Sequence, residues 1–184
     1  MKTITGIALM CCLAICSVVN GQNTIIKMGD MPYDTLTKLI TYKEVVKQKG
    51  TADELYLRAI EWIGATYKNA ERVTNKRDRA NGLIEGIARF KINYTEKDGS
   101  KNDAGNISYN LIIECKDGRY RYIFNGFNLD SQSRFPIEKW LNKKDVSYNP
   151  SFDKYLKDVD TFMKTLIAGL KKAMQPPVVI DDSW

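Results

Sequence analysis

Asn106-Ile-Ser-Tyr-Asn-Leu-Ile-Ile-Glu-Cys-Lys116, then Asp117-Gly118, then Arg119-Tyr-Arg-Tyr-Ile-Phe-Asn-Gly-Phe127 is the segment that decides the fold. Asp-Gly between two β-rich runs predicts a two-residue hairpin, because a type I′ turn needs positive φ at both central residues. With Asp117 and Gly118 at those positions, Lys116 faces Arg119, Cys115 faces Tyr120, Glu114 faces Arg121, and the pairing continues to Leu111 opposite Phe124. Side chains alternate across a strand. One face therefore carries Leu111, Ile113, Cys115, Tyr120, Tyr122 and Phe124. The other carries Ile112, Glu114, Lys116, Arg119, Arg121 and Ile123. A one-residue slip would bury the charges, so the register is firm. This hairpin is expected at the middle of a sheet with one face on a core and one in water.

Outward from the hairpin, Leu83 to Tyr94 alternates in the same way after the turn signal Asn81-Gly82. Ile84, Gly86, Ala88, Phe90, Ile92 and Tyr94 form one face; Glu85, Ile87, Arg89, Lys91 and Asn93 form the other. Thr95 to Gly105 reads as a polar loop, and Glu71 to Arg77 as a weak polar strand. Lys38 to Lys47 is rich in β-branched residues and reads as the first strand. Thr51-Ala-Asp-Glu54 is a capping box. Leu55, Ala59, Trp62, Ile63 and Thr66 follow at helical spacing, which predicts a helix over 52–67. Asn128 to Pro150 reads as a longer connection with a short helical turn at 136–141. Phe152 to Met174 carries a continuous apolar stripe, with Lys171 and Lys172 in the last turn, where cations suit the helix dipole. Pro176-Pro177 ends it.

The predicted order is β-α-β-β-β-β-α. Two amphipathic helices must bury their stripes, and the apolar sheet face is the surface available to both. The fold class is α+β: a single domain over 37–175, with both helices on one face and the other face open. Residues 22–36 read as an irregular lead-in and 176–184 as a C-terminal tail.

At the other end, Lys2, the apolar run Ile7 to Val19 and the small-residue pattern Val19-Asn20-Gly21 predict a signal peptide over 1–21. Simple secretion is preferred to lipidation at Cys16, because Ile15 is bulky where a lipoprotein signal wants a small residue. The expected location is periplasmic or extracellular, with no transmembrane segment in the mature chain. Cys11, Cys12 and Cys16 leave with the signal, so Cys115 alone remains and the fold stands on its core without a disulfide. The formal charge of +6 falls by one when Lys2 leaves, which is mildly basic.

Tyr42-Lys-Glu-Val-Val46, Glu54-Leu-Tyr-Leu-Arg-Ala-Ile-Glu-Trp62, Gly82-Leu-Ile-Glu-Gly86 and Lys116-Asp-Gly-Arg-Tyr-Arg-Tyr122, behind a signal peptide, resemble a secreted family from the Bacteroides group. That family is a domain of unknown function with a TATA-binding-protein-like (TBP-like) fold. The resemblance spans roughly Tyr42 to Met174 and implies a curved antiparallel β-α-β4-α sheet, in agreement with the order above. It implies no catalytic residues. DNA binding does not travel with the fold.

The residues argue against catalysis. The chain has no histidine, the commonest general base and metal ligand. Alternation places Cys115 on the core face, where a thiol behaves as a small hydrophobe. Glu85 and Glu114 share the open face, yet Arg121 stands opposite Glu114 and predicts a cross-strand ion pair. Asp98-Gly-Ser-Lys-Asn-Asp103 lacks EF-hand spacing and a closing Glu. Asn93-Tyr-Thr95 and Asn106-Ile-Ser108 match glycosylation sequons. No cofactor or metal is expected.

The remaining feature is the open face, where Arg89, Lys91, Lys116, Arg119 and Arg121 surround Ile87, Ile112 and Ile123. Such a surface suits an anionic, partly apolar ligand: an acidic glycan, a lipid head group or a protein partner. Nucleic acid is not expected, since no aromatic stacking platform lies there. The reading is an exported, non-enzymatic binding or interaction module of unknown ligand. The alternative is a structural component of a cell-envelope assembly that uses a sheet edge or the tail, where Val178-Val-Ile180 and Trp184 could add as a strand. The bland readings are a solvated sheet face and a frayed terminus.

Overall fold

The computed structural model describes residues 24–95, 101–130 and 134–177. Its centre is the hairpin of β7 (Lys101–Lys116) and β8 (Arg119–Asp130). The register is the expected one from Lys116 opposite Arg119 to Leu111 opposite Phe124. The turn differs. Gly118 has φ +73°, but Asp117 is not among the positive-φ residues, so the sign pattern is that of a type II turn. The reason is tertiary. The Asp117 carboxylate accepts from the Ala52 amide at 2.7 Å, the Gly118 amide donates to the Gly50 carbonyl, and the Gln48 amide donates to the Gly118 carbonyl, each at 2.9 Å.

Around the hairpin the chain lays β4 (Tyr42–Lys47), β5 (Thr74–Asp78) and β6 (Leu83–Thr95). The main sheet runs β4-β8-β7-β6-β5, and β9 (Arg134–Pro136) pairs with the far end of β8. Helix α1 (Ala52–Thr66) opens on the full capping box of Thr51 and Glu54. Helix α3 (Ser151–Ala173) carries the long apolar stripe. Leu55, Ala59, Trp62 and Ile63 of α1 join Leu156, Val159, Met163, Leu166 and Leu170 of α3 in one core with the apolar faces of β6, β7 and β8.

Five stretches depart from the sequence reading. The lead-in is not irregular: β1 (Ile25–Met28) and β2 (Met31–Asp34) form a hairpin around Gly29, which has φ +62°. With β3 (Leu39–Ile40) they make a second, three-stranded sheet. The first strand is thereby divided at Thr41, whose amide donates to the Pro32 carbonyl at 2.9 Å. Its first half serves the small sheet and its second half the large one. The segment read as a weak strand over 71–77 splits into a short helix, α2 (Ala70–Val73), capped by Asn69, and β5. The loop over 95–105 is shorter than read, since β6 reaches Thr95 and β7 begins at Lys101. In the connection over 128–150, β8 continues to Asp130 and β9 precedes a 3₁₀ turn at Ile137–Leu141. The expected signal peptide and most of the tail lie outside the described residues.

Polar groups inside the fold are paired across elements. Tyr42 donates to Asp160 Oδ1 at 3.0 Å, and Lys164 also pairs with that carboxylate. Tyr67 and Tyr109 share a hydrogen bond of 2.8 Å between their hydroxyls. Lys171 holds the Glu44 carboxyl below the usual range, with help from the Tyr122 hydroxyl at 2.7 Å.

Among the described residues the Tyr120 hydroxyl, the Trp140 indole N–H and one oxygen of Glu138 are buried without a partner, and Glu138 is the carboxylic acid of the three. One oxygen accepts from the Ile40 amide at 2.9 Å, the other has no partner among the described residues, and burial raises its pKa. A carboxyl whose pKa rises on folding favours the folded state most below its unfolded value, and that contribution is lost as pH climbs through the folded one. Glu138→Gln keeps the acceptor and removes the charge. The variant is expected to show a higher urea midpoint than wild type at about pH 7 and the same midpoint at about pH 4.

Candidate functional site

The open face is built row by row from the pairing. Lys47, Val45 and Lys43 on β4 stand beside Arg119, Arg121 and Ile123 on β8. The same β8 residues stand beside Lys116, Glu114 and Ile112 on β7. Leu83 of β6 lies opposite Glu114, and Glu85 opposite Ile112. Ile112 and Ile123 are thus adjacent and half-buried in the middle of the face.

The charges are sorted more finely than the alternation implied. Arg121 pairs with Glu114, as expected. Arg89 pairs with Asp130 at 2.8 Å and Lys91 with Asp103 at 2.7 Å. These three cations are largely neutralised, and Arg89 and Lys91 sit toward the far end of the face from the hairpin turn. Lys116 and Arg119 make no ion pair among the described residues. Lys116 and Arg119 therefore stand together at the turn end of the hairpin, with Lys47 beside Arg119.

At that end lies a depression of about 410 Å³. Lys116, Arg119 and the Arg121–Glu114 pair supply its charge, Val45 and Leu83 its apolar walls, and Asn81 an amide. Val45 is 58% exposed. Of the residues singled out from the sequence, Lys116, Arg119 and Arg121 are brought together here. Ile112 and Ile123 lie further along the face, and Arg89 and Lys91 beyond them. Val45, Leu83, Asn81 and Lys47 were missed. The alternation Lys43, Val45, Lys47 is plain in the sequence, but nothing local says that this strand lies against β8.

Acid–base and nucleophilic candidates are weak. Cys115 is buried and its thiol is pushed up to about 12 by desolvation, the opposite of an activated nucleophile. Among the described residues there is no cluster of three or more acidic or sulfur ligands suited to a metal. No described helix is long and apolar enough to cross a membrane. Asp103 of the calcium-like loop is engaged with Lys91 and the Gly105 amide.

An antiparallel sheet with helices on one face and a bare reverse defines an α+β domain of the TBP-like kind. Residues 42–130 match the model of the DUF4468 family, described as a domain of unknown function with TBP-like fold. Two solved structures share the architecture. A DUF4468 family protein from Bacteroides ovatus superposes with a TM-score of 0.59 at 16% identity, over 77% of this chain and 90% of that one. A TBP-like protein from Parabacteroides distasonis gives 0.57 at 17% identity, over 74% and 92%. At such identities the likeness speaks for the fold alone. No curated protein matches the chain.

Proposed function

We propose that the protein is an exported, non-enzymatic binding module whose open sheet face takes an anionic group with an apolar flank at the turn end of the β7–β8 hairpin. The observation that carries this reading is the meeting of two cations without an ion pair among the described residues, Lys116 and Arg119, with Val45 and Leu83 around one depression. A guanidinium and an ammonium together offer donors to a carboxylate or phosphate. The apolar walls suit the carbon skeleton that carries it, as in an acidic glycan, a lipid head group or a protein side chain. Export is supported by the N-terminal apolar run behind Lys2. The rival reading, a structural part of an envelope assembly, draws on the same exposed sheet.

The test is binding to vesicles of anionic phospholipid and to polygalacturonate at low salt, with wild type and a Lys116→Glu/Arg119→Glu variant. The double variant is expected to bind whichever probe is recognised at least about tenfold more weakly. Arg89→Glu, distant and already paired, is expected to change little. Equal affinities for wild type and the double variant remove the depression as the site.

A further inference from the structure

The margin of the main sheet presents main-chain groups that no described segment pairs. β4 is its end strand. The Gln48 amide donates to the Gly118 carbonyl at 2.9 Å, so Gln48 faces β8. Alternation in an antiparallel pair then turns Val46, Glu44 and Tyr42 toward β8 as well. Lys43, Val45 and Lys47 direct their N–H and C=O groups away from the sheet. Among the described residues no other segment hydrogen-bonds to those groups.

The side chains of the same three residues flank the open face, and neither lysine makes an ion pair among the described residues. Lysines on an edge strand discourage indiscriminate pairing. Here they also select. A second copy laid antiparallel about Val45 would set Lys43 against Lys47 twice, and opposed like charges destabilise a pair. A strand with carboxylates opposite both lysines and an apolar residue opposite Val45 meets complementary groups at all three positions.

We propose that the outer edge of β4 is a docking site for an extended acidic segment of another protein, added as a further strand with an acidic–x–apolar–x–acidic face set against Lys43, Val45 and Lys47. The inference goes beyond the depression, because its hydrogen bonds come from the β4 main chain and not from Lys116 or Arg119.

The probe is the capped peptide Thr-Glu-Thr-Val-Thr-Glu-Thr, which reads the same in both directions. Saturating peptide is expected to slow amide exchange at Lys43, Val45 and Lys47 by roughly tenfold. A peptide N-methylated at its valine is expected to bind at least about tenfold more weakly, since that N–H is needed for the ladder. Val45→Pro removes an outward N–H that β8 does not use, so the variant is expected to fold and to lose the peptide. Lys43→Glu/Lys47→Glu is expected to lose it by charge alone. Lys116→Glu/Arg119→Glu is expected to keep the peptide within about threefold while losing the anionic probes, which separates failure of one site from failure of the other.

Three results overturn the proposal. The first is unchanged exchange at the three amides with peptide present. The second is slow exchange there without peptide that becomes fast when residues 178–184 are removed, which assigns the edge to the chain's own tail. The third is protection that grows with protein concentration alone, which assigns it to a second copy.

Discussion

Phe124→Ala is expected to lower the unfolding free energy by about 3–5 kcal/mol. The side chain is fully buried, faces Leu111 on β7 and Tyr42 on β4, and packs its ring near those of Tyr109 at 6.1 Å and Tyr122 at 5.4 Å. Truncation leaves a hole walled by aromatic rings and sheet backbone, which relax little. Its neighbour Ile123 points to the other face and is half-buried. Ile123→Ala is expected to cost less than about 1.5 kcal/mol, because fewer contacts are lost there. Urea unfolding of the two variants reads the sidedness of the sheet directly. Equal losses would mean that the face bearing Ile123 is covered as deeply as the face under the helices.

A single methyl group is expected to do comparable damage at Gly86. A Cβ there would stand 2.1 Å from the Val73 carbonyl oxygen and 3.2 Å from the Thr74 Cα. Both are main-chain atoms and cannot swing aside. Gly86 is the point in β6 where the α2–β5 junction crosses at close range, and a glycine inside a strand often marks such an approach. Gly86→Ala is expected to cost about 3 kcal/mol. Its cost falls on the pairing of β5, whose register already shifts between Thr74 and Lys76. Gly64 is the control, since a Cβ there meets nothing within 4 Å. In the helix interior Gly64→Ala is expected to add about 0.5–1 kcal/mol. Calorimetric or urea measurements that rank the two in the reverse order would contradict the described path of β5.

The legible part of the fold was the part in which local pattern and tertiary position agree. Strict alternation with charges on one side pinned the hairpin register, and the stripe of α3 and the capping box of α1 marked both helices. Turn type was not legible, because Asp117 is set by the Ala52 amide, 65 residues away. The small sheet escaped notice because its strands are short and Pro32 interrupts one of them. Asp160 sits buried beside the α3 stripe, and while its ion pair with Lys164 is local, its partner Tyr42 lies 118 residues away. At the candidate site the residue types were readable and their pairing was not. Arg89 meets Asp130 past a register shift between Ser108 and Asn110, and no sequence pattern announces that shift.

Among the described residues β4 pairs with Arg119–Phe124 alone. During synthesis the first strand of the large sheet must therefore wait until two thirds of the chain has emerged. Until then the greasy side of α1 has no floor to rest on, and distant closures of this sort are slow to form. A nascent chain halted ahead of the hairpin has no half-molecule to settle into. Fragments ending before Arg119 are accordingly poor choices for expression, whereas the finished polypeptide gains its two layers in one cooperative event.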